Sequence, residues 1–173
     1  MTRDQLEHAI RAACDVAEDT EVYVFGSQAI LAQHPNAPAE LLVSEEADIT
    51  PKHRRDLTDR VDALLGQDSM FHRTHGFYVH GVPIHEAAAL PPGWEARAVR
   101  VQNSNTRNLT GWCVEAHDLA SSKLAAFRDK DRDFVRLLLV EGLLDRPTLL
   151  ERIETLPIDN DGQARLQTWI RAV

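Results

Sequence analysis

Glu21–Pro51, EVYVFGSQAILAQHPNAPAELLVSEEADITP, is the stretch on which the reading of the whole chain turns. Val22, Val24 and Phe25 form a short β-branched and aromatic run that stops at Gly26-Ser27. Gln28–Ala32 then has helix-forming composition, so the expectation is strand, tight turn, helix. Such a turn exposes backbone N–H groups. Glycine lets the chain approach a ligand closely, the helix N-terminus favours negative charge, and Ser27 suits the N-cap position. Gly26 and Ser27 are therefore candidates for a phosphate cradle. Downstream, Glu46–Thr50 (EADIT) reads as a strand from which Glu46 and Asp48 project on one face. Carboxylates at neighbouring positions of one face repel each other, whereas Mg²⁺ is commonly held by one or two carboxylates, phosphate oxygens and water. Glu46 and Asp48 are thus candidate metal ligands, and the chemistry suggested is metal plus nucleotide. A plain turn and a solvated edge strand would each explain one motif; their joint occurrence carries the reading.

The 173 residues, 43% hydrophobic and 27% charged, suit one domain with a sizeable core. The polar N-terminus opens an amphipathic helix, and no apolar run approaches the roughly 20 residues of a membrane span, so a cytoplasmic protein with no membrane partner is expected. Two cysteines, Cys14 and Cys113, are too few for a disulfide framework or a thiolate metal site. The net charge of −8 gives no overall field attracting nucleic acid, so a polynucleotide would need a local basic patch.

In chain order, Thr2 and Gln5 form a capping-box pattern before a helix running to about Val16. The Gln33–Glu40 loop is expected to vary without touching the site. A polar-faced helix over His53–Leu65, ended by Gly66, connects the acidic strand to a further strand at Phe77–Val79. Ala98–Val101 and Trp112–Val114 read as a hairpin around a polar loop. Beyond Glu115 the pattern is helical to the end, with Asp145 and Pro147 starting one helix and Asp159 or Asn160 the last. Phe134–Val140 is apolar almost all round, which predicts a buried helix. The fold class expected is α+β: a mixed sheet core over residues 1–115 and a helical cap over 116–173, packed as one unit.

On the helix beginning at His117-Asp118, Lys123 falls inside the apolar arc of Leu119, Ala120, Leu124, Ala126 and Phe127. Its ammonium either snorkels out at the edge or meets an anion, because unpaired burial costs several kcal/mol. The run Arg128–Asp133 alternates in sign and reads as a solvated, ion-paired junction.

A Gly-Ser turn opening a helix, an acidic-x-acidic strand and the lysine helix EAHDLASSKLAAFRDKDRD (Glu115–Asp133) together resemble the nucleotidyltransferase superfamily of the DNA polymerase β fold, in particular its small bacterial AbiEii-like and MenT-like toxin relatives. The resemblance implies an Mg²⁺-dependent transfer of NMP from an NTP to an acceptor, RNA or tRNA among the candidates, with an antitoxin as protein partner. It implies Glu46 and Asp48 as catalytic metal ligands, Gly26 and Ser27 as nucleotide-binding, and Lys123 as a catalytic and nucleotide-binding residue that contacts phosphate. The pattern departs from such relatives at a third carboxylate: the Phe77–Val79 strand runs into His80, and Glu86 and Glu115 are the remaining candidates. Glu46 also stands where Asp is more usual. A catalytically degenerate module that binds a nucleotide or protein without turnover is the alternative.

Other chemistries find less support. His72, His75, His80 and His85 match no known zinc spacing and read as surface residues. Ser27 is not in a Gly-x-Ser-x-Gly elbow, which argues against a serine hydrolase.

Overall fold

The computed structural model describes residues 1–173. In chain order it contains α1 (Arg3–Ala17), β1 (Glu21–Phe25), a 3-10 helix (Ser27–Ala32), β2 (Glu46–Pro51), α2 (Thr58–Leu65), α3 (Met70–His75) and β3 (Tyr78–Gly81). There follow the one-turn helices α4 (Ile84–Ala87) and α5 (Trp94–Arg97), β4 (Val99–Val101), β5 (Thr110–Cys113), α6 (Ala116–Ala126), α7 (Asp129–Val140), α8 (Arg146–Glu154) and α9 (Asn160–Ala172). The strands form one mixed sheet in the order β3-β2-β1-β5-β4. β1 runs antiparallel to β2 and parallel to β5; β2 and β3 are parallel, β4 and β5 antiparallel. This is the α+β architecture expected. The parallel β2–β3 pair needs a crossover, which α2 and α3 supply. No helix is long and apolar enough to cross a membrane.

Strand alternation and register divide the sheet into two faces. Val22, Val24, Ala47, Ile49, Val79 and Cys113 are fully buried on one of them. α1 lies across that face, started by the Thr2–Gln5 capping box and burying Leu6, Ala9, Ile10, Ala13 and Ala17. The approach is close at β5, where a Cβ on Gly111 would sit 2.5 Å from Ile10 Cδ1. The other face carries Tyr23, Phe25, Glu46, Asp48, Tyr78, His80 and Trp112. α6 packs beside the 3-10 helix, and α7, α8 and α9 build outward from α6. One buried cluster runs from Leu6 through the strands to Leu124, Leu138, Ile153 and Ile170.

α7 departs from the expectation of an all-round buried helix. Val135 and Leu138 are buried, but Val140 is 73% exposed and Phe134, Leu137 and Leu139 are only partly covered. α7 packs against α6, while Phe134 and Leu137 border an open cavity of about 420 Å³. An apolar composition fixes the preference for burial, not the number of neighbours available to provide it.

Glu21 joins three strand ends. Its carboxylate accepts from Lys52 Nζ, just beyond β2, and from Trp112 Nε1 on β5, each at 2.5 Å. The Lys52 hydrogen bond above all, then that of Trp112, hold its carboxyl down to about 2. A lowered folded-state value means stabilisation that is complete above the ordinary value of 4.5 and lost as pH falls toward 2. Glu21→Gln is therefore expected to lower stability by roughly 1 kcal/mol at neutral pH, the partly exposed setting limiting the effect. Urea titrations should show that deficit shrinking below pH about 4.5; a deficit independent of pH would refute the ionic account.

Candidate active site

The site begins with β2. Ala47 and Ile49 are buried beneath α1, so Glu46 and Asp48 necessarily emerge on the opposite face. Register supplies their neighbours: Asp48 lies beside Phe25 of β1 and His80 of β3, and Glu46 beside Tyr78. Tyr78 donates its hydroxyl to Glu46 Oε2 at 2.8 Å. His80 Nδ1 sits 2.9 Å from Asp48 Oδ1 and 3.2 Å from Glu46 Oε1.

Because Asp48 pairs with the last residue of β1, the chain must turn past its carboxylate. Gly26 makes that turn at φ +74°, and a Cβ there would collide with Asp48, coming 2.9 Å from its Cγ. Only glycine combines this backbone conformation with this approach. Ser27 is accordingly the first residue of a 3-10 helix rather than an N-cap; Gly26 holds the cap position, and no side chain caps the turn.

The two carboxyls behave as one coupled site. Burial and then Glu46 push the Asp48 carboxyl up to about 6, against the pull of His80. Burial also pushes Glu46 upward, but hydrogen bonding to Asp48 and Tyr78 and the attraction of His80 outweigh it, leaving Glu46 below its ordinary value. Burial lowers His80 and the two acids raise it, with the raised state prevailing.

Facing the acids across a cleft of about 300 Å³ are Lys123 from α6 and Arg128 and Lys130 from the α6–α7 junction. Of the chain's three lysines, Lys52, Lys123 and Lys130, two line this cleft. The Lys123 side chain is 19% exposed; its Nζ lies 3.8 Å from Asp131 and 5.8 Å from the centroid of the Phe134 ring. Burial pulls its ammonium down, opposed by Asp131 and Asp48. Asp131 is buried and also accepts from Arg128 at 2.6 and 3.2 Å.

A family model described as "Nucleotidyltransferase of unknown function (DUF6036)" matches residues 4–171. The chain belongs to this nucleotidyltransferase family. No curated protein and no solved structure matches the chain.

In this nucleotidyltransferase the structure brings together every residue singled out for the site: Gly26, Ser27, Glu46, Asp48 and Lys123 line one cleft. It does not bring a third carboxylate. Glu86, on α4, lines the adjoining groove and not this cleft, and Glu115 caps α6, accepting from the His117 and Asp118 amides. His80 occupies the position instead, so one histidine read as a surface residue belongs to the acid pair. Of the others, His75 packs against His8 and Phe71 and His85 is exposed.

Two further readings need correction. The Arg128–Asp133 run is only partly a solvated junction: Arg132–Asp129 and Arg136–Asp133 are surface pairs, whereas Asp131 is buried and Arg128 and Lys130 face the cleft. The Gln33–Glu40 loop is not free of the site region. Gln33 accepts the Ala116 N–H at the start of α6, and Glu40 borders the cavity shared with Ser27 and Lys123. The sign alternation concealed one signal: on a helix, residues three or four apart share a face, so Asp131 and Phe134 of α7 turn together toward Lys123 of α6.

The cleft opens into a groove of about 760 Å³ between α4 and α6, the two sharing Ala87, Ala88, Ser122 and Ala126 as walls. Ile84, Leu90, Trp94 and Ile158 make it largely apolar.

Proposed function

We propose that the protein transfers a nucleoside monophosphate from an NTP to an acceptor hydroxyl with the help of a divalent cation held by Glu46 and Asp48. One observation carries this reading. The Gly26-Ser27 turn, the acid pair and the basic group Lys123, Arg128 and Lys130 line a single cleft, although they come from stretches far apart in the sequence. The donor set fits a divalent cation: Glu46, Asp48 and His80 each offer one ligand atom, and these lie within 4.8 Å of one another. Part of the upward push on Asp48, after burial and hydrogen bonding to Glu46, is the like-charge repulsion of Glu46, which such an ion relieves. When bound, it supplies Lewis-acid polarisation of a phosphoryl oxygen and activation of the attacking hydroxyl.

The chain's own residues act by position and charge. Gly26 lets the Asp48 carboxylate stand against the turn, and Lys123 and Lys130 neutralise the charge that grows on departing pyrophosphate. The acceptor oxygen bonds to the α-phosphorus as the bond to the β-phosphate breaks. The α4–α6 groove, which shares walls with the cleft and is not lined by the lysines, is the approach left for an acceptor. The sequence resemblance supports Mg²⁺ as the ion, RNA (tRNA included) as acceptor and an antitoxin as protein partner.

His80 favours a second reading. With a histidine where the third carboxylate was expected, the cleft binds a nucleotide or partner without turnover. Titrating the four NTPs with and without Mg²⁺, then following α-labelled phosphate into bulk RNA, separates the two. Label transfer establishes the enzyme; metal-dependent binding without transfer establishes the degenerate module.

Lys123→Met tests the phosphate side. The substitution keeps an unbranched stem of similar length beside Phe134 of α7, and Asp131 retains its bidentate Arg128, so the fold should survive. A charge-assisted hydrogen bond to phosphate contributes about 1.5–3 kcal/mol, so NTP affinity should drop by roughly tenfold to hundredfold. Unchanged affinity in the folded variant would remove Lys123 from the site.

A further inference from the structure

We infer that His80 is a metal ligand and that the cleft therefore selects a first-row transition-metal dication, Mn²⁺ being the probe ion, over Mg²⁺. The inference rests on the metal-dependent reading above and departs from the Mg²⁺ expectation. The parallel β2–β3 register sets His80 directly beside Asp48, so its ring lies on the acids' face of the sheet. Nδ1 points between the carboxylates, 2.9 Å from Asp48 Oδ1 and 3.2 Å from Glu46 Oε1. These two acids are the only groups hydrogen-bonded or ion-paired to the ring. Tyr78 engages Glu46 Oε2 at 2.8 Å, which leaves Oε1 turned toward His80. An outer hydrogen bond that orients a carboxylate in this way is a usual companion of a metal ligand. The end of β3 is held as well, since the Gly81 N–H donates to Asp62 Oδ1 at 3.1 Å. The His80 side chain remains 44% exposed, leaving the acids accessible from solvent, as a site that shares its ion with a substrate requires.

The chemistry of the donors then determines the ion. Mg²⁺ favours an all-oxygen octahedron and gains little from imidazole, whereas nitrogen donors raise affinity for the transition metals in the Irving–Williams order. A set of two carboxylates and one imidazole thus separates the two classes of ion further than carboxylates alone. Replacing the nitrogen by an oxygen donor at the same register position should bring them together again.

The test uses the full chain, stripped of metal, as wild type, His80→Asp and His80→Gln. Mn²⁺ binding is followed by loss of the free-ion EPR signal, and Mg²⁺ affinity by competition. Outer-shell partners alone alter metal affinity by about 10–100-fold, so loss of the nitrogen should compress the Mn²⁺-over-Mg²⁺ ratio at least about tenfold in His80→Asp. Pulsed EPR of the wild-type Mn²⁺ complex should show the nitrogen coupling of a bound imidazole, absent from both variants. Mn²⁺ binding without nitrogen coupling, or an unchanged ratio in His80→Asp, overturns the assignment of His80 and leaves the enzyme reading standing. If wild type binds neither ion, with or without NTP, both fall. His80→Gln keeps the test open should the added carboxylate of His80→Asp unfold the strand, since loss of coupling in either variant suffices.

Discussion

Asp48→Asn is expected to lose nucleotidyl transfer by at least about a hundredfold to a thousandfold while melting no lower than wild type, on the scale found when one preorganised electrostatic contact to a transition state is removed. The two halves of this expectation have one cause. Asp48 sits against Gly26, Glu46 and His80, where burial and then Glu46 push its carboxyl up to about 6. A folded-state value above the ordinary 3.8 means that the carboxyl favours folding below that value, and that this contribution is lost as pH rises through about 6. At neutral pH the wild-type protein therefore holds an ionised group that works against folding. The asparagine has the same shape without the charge. Relative to wild type, its stability should improve as pH rises from about 4 to 6 and stay level above. Thermal melts across that range and labelled-NTP transfer at one pH suffice to check it. Transfer within tenfold of wild type would end the proposal that Asp48 holds the metal. A variant that is inactive because it unfolds would show only that the residue is structural.

Asp118→Ala is expected to have the largest effect on stability, a loss of about 3 kcal/mol, at the lower end of the range for breaking a buried ion pair. Asp118 is fully buried in the first turn of α6. It accepts from Arg97 of α5 through Nε at 2.8 Å and Nη2 at 3.0 Å, and lies 3.1 Å from Arg152 Nε of α8. One carboxylate thus ties the segment after β3 to the helices that follow the sheet. Removing it leaves two guanidinium groups facing each other, each retaining some water, hence the lower end of the range. For a domain whose whole stability is about 5–15 kcal/mol, this is a large fraction. Urea unfolding should show the midpoint falling in Asp118→Ala, with Asp118→Asn intermediate because it keeps the shape and one acceptor. A loss below about 1 kcal/mol would mean that the arginines find solvent unaided. As α6 also carries Lys123, weaker NTP binding should accompany the loss of stability.

Much of this protein was legible one residue at a time. The capping box at Thr2 and Gln5, the stop at Gly66 and the start of α8 at Asp145-Pro147 are local events, set by hydrogen bonds within a few residues, and they appear where the sequence places them. The two-residue period of a strand likewise sufficed to put Glu46 and Asp48 on one face, and Gly26 marked the turn. Failures occurred where the outcome depended on a neighbour distant in sequence. Nothing at His80 itself distinguishes it from His85; the β2–β3 register does, by setting it beside Asp48. Asp131 was hidden in a run of alternating charges because its burial depends on α6 passing over it. Phe134–Val140 looked like a buried helix because composition reports the wish for cover and not its supply.

The sequence by itself determined the α+β class, the order of the strands along the chain, the turn at Gly26 and the placing of Glu46 and Asp48 on one face, since each follows from backbone preference and side-chain period over a short span. Tertiary structure alone decided that Lys123, Arg128 and Lys130 face that pair, that His80 and not a third carboxylate completes it, and that Gly26 is required for contact with Asp48 as well as for its turn. Those facts depend on strand register and helix packing, which make neighbours of residues tens of positions apart, and no local period encodes such pairings.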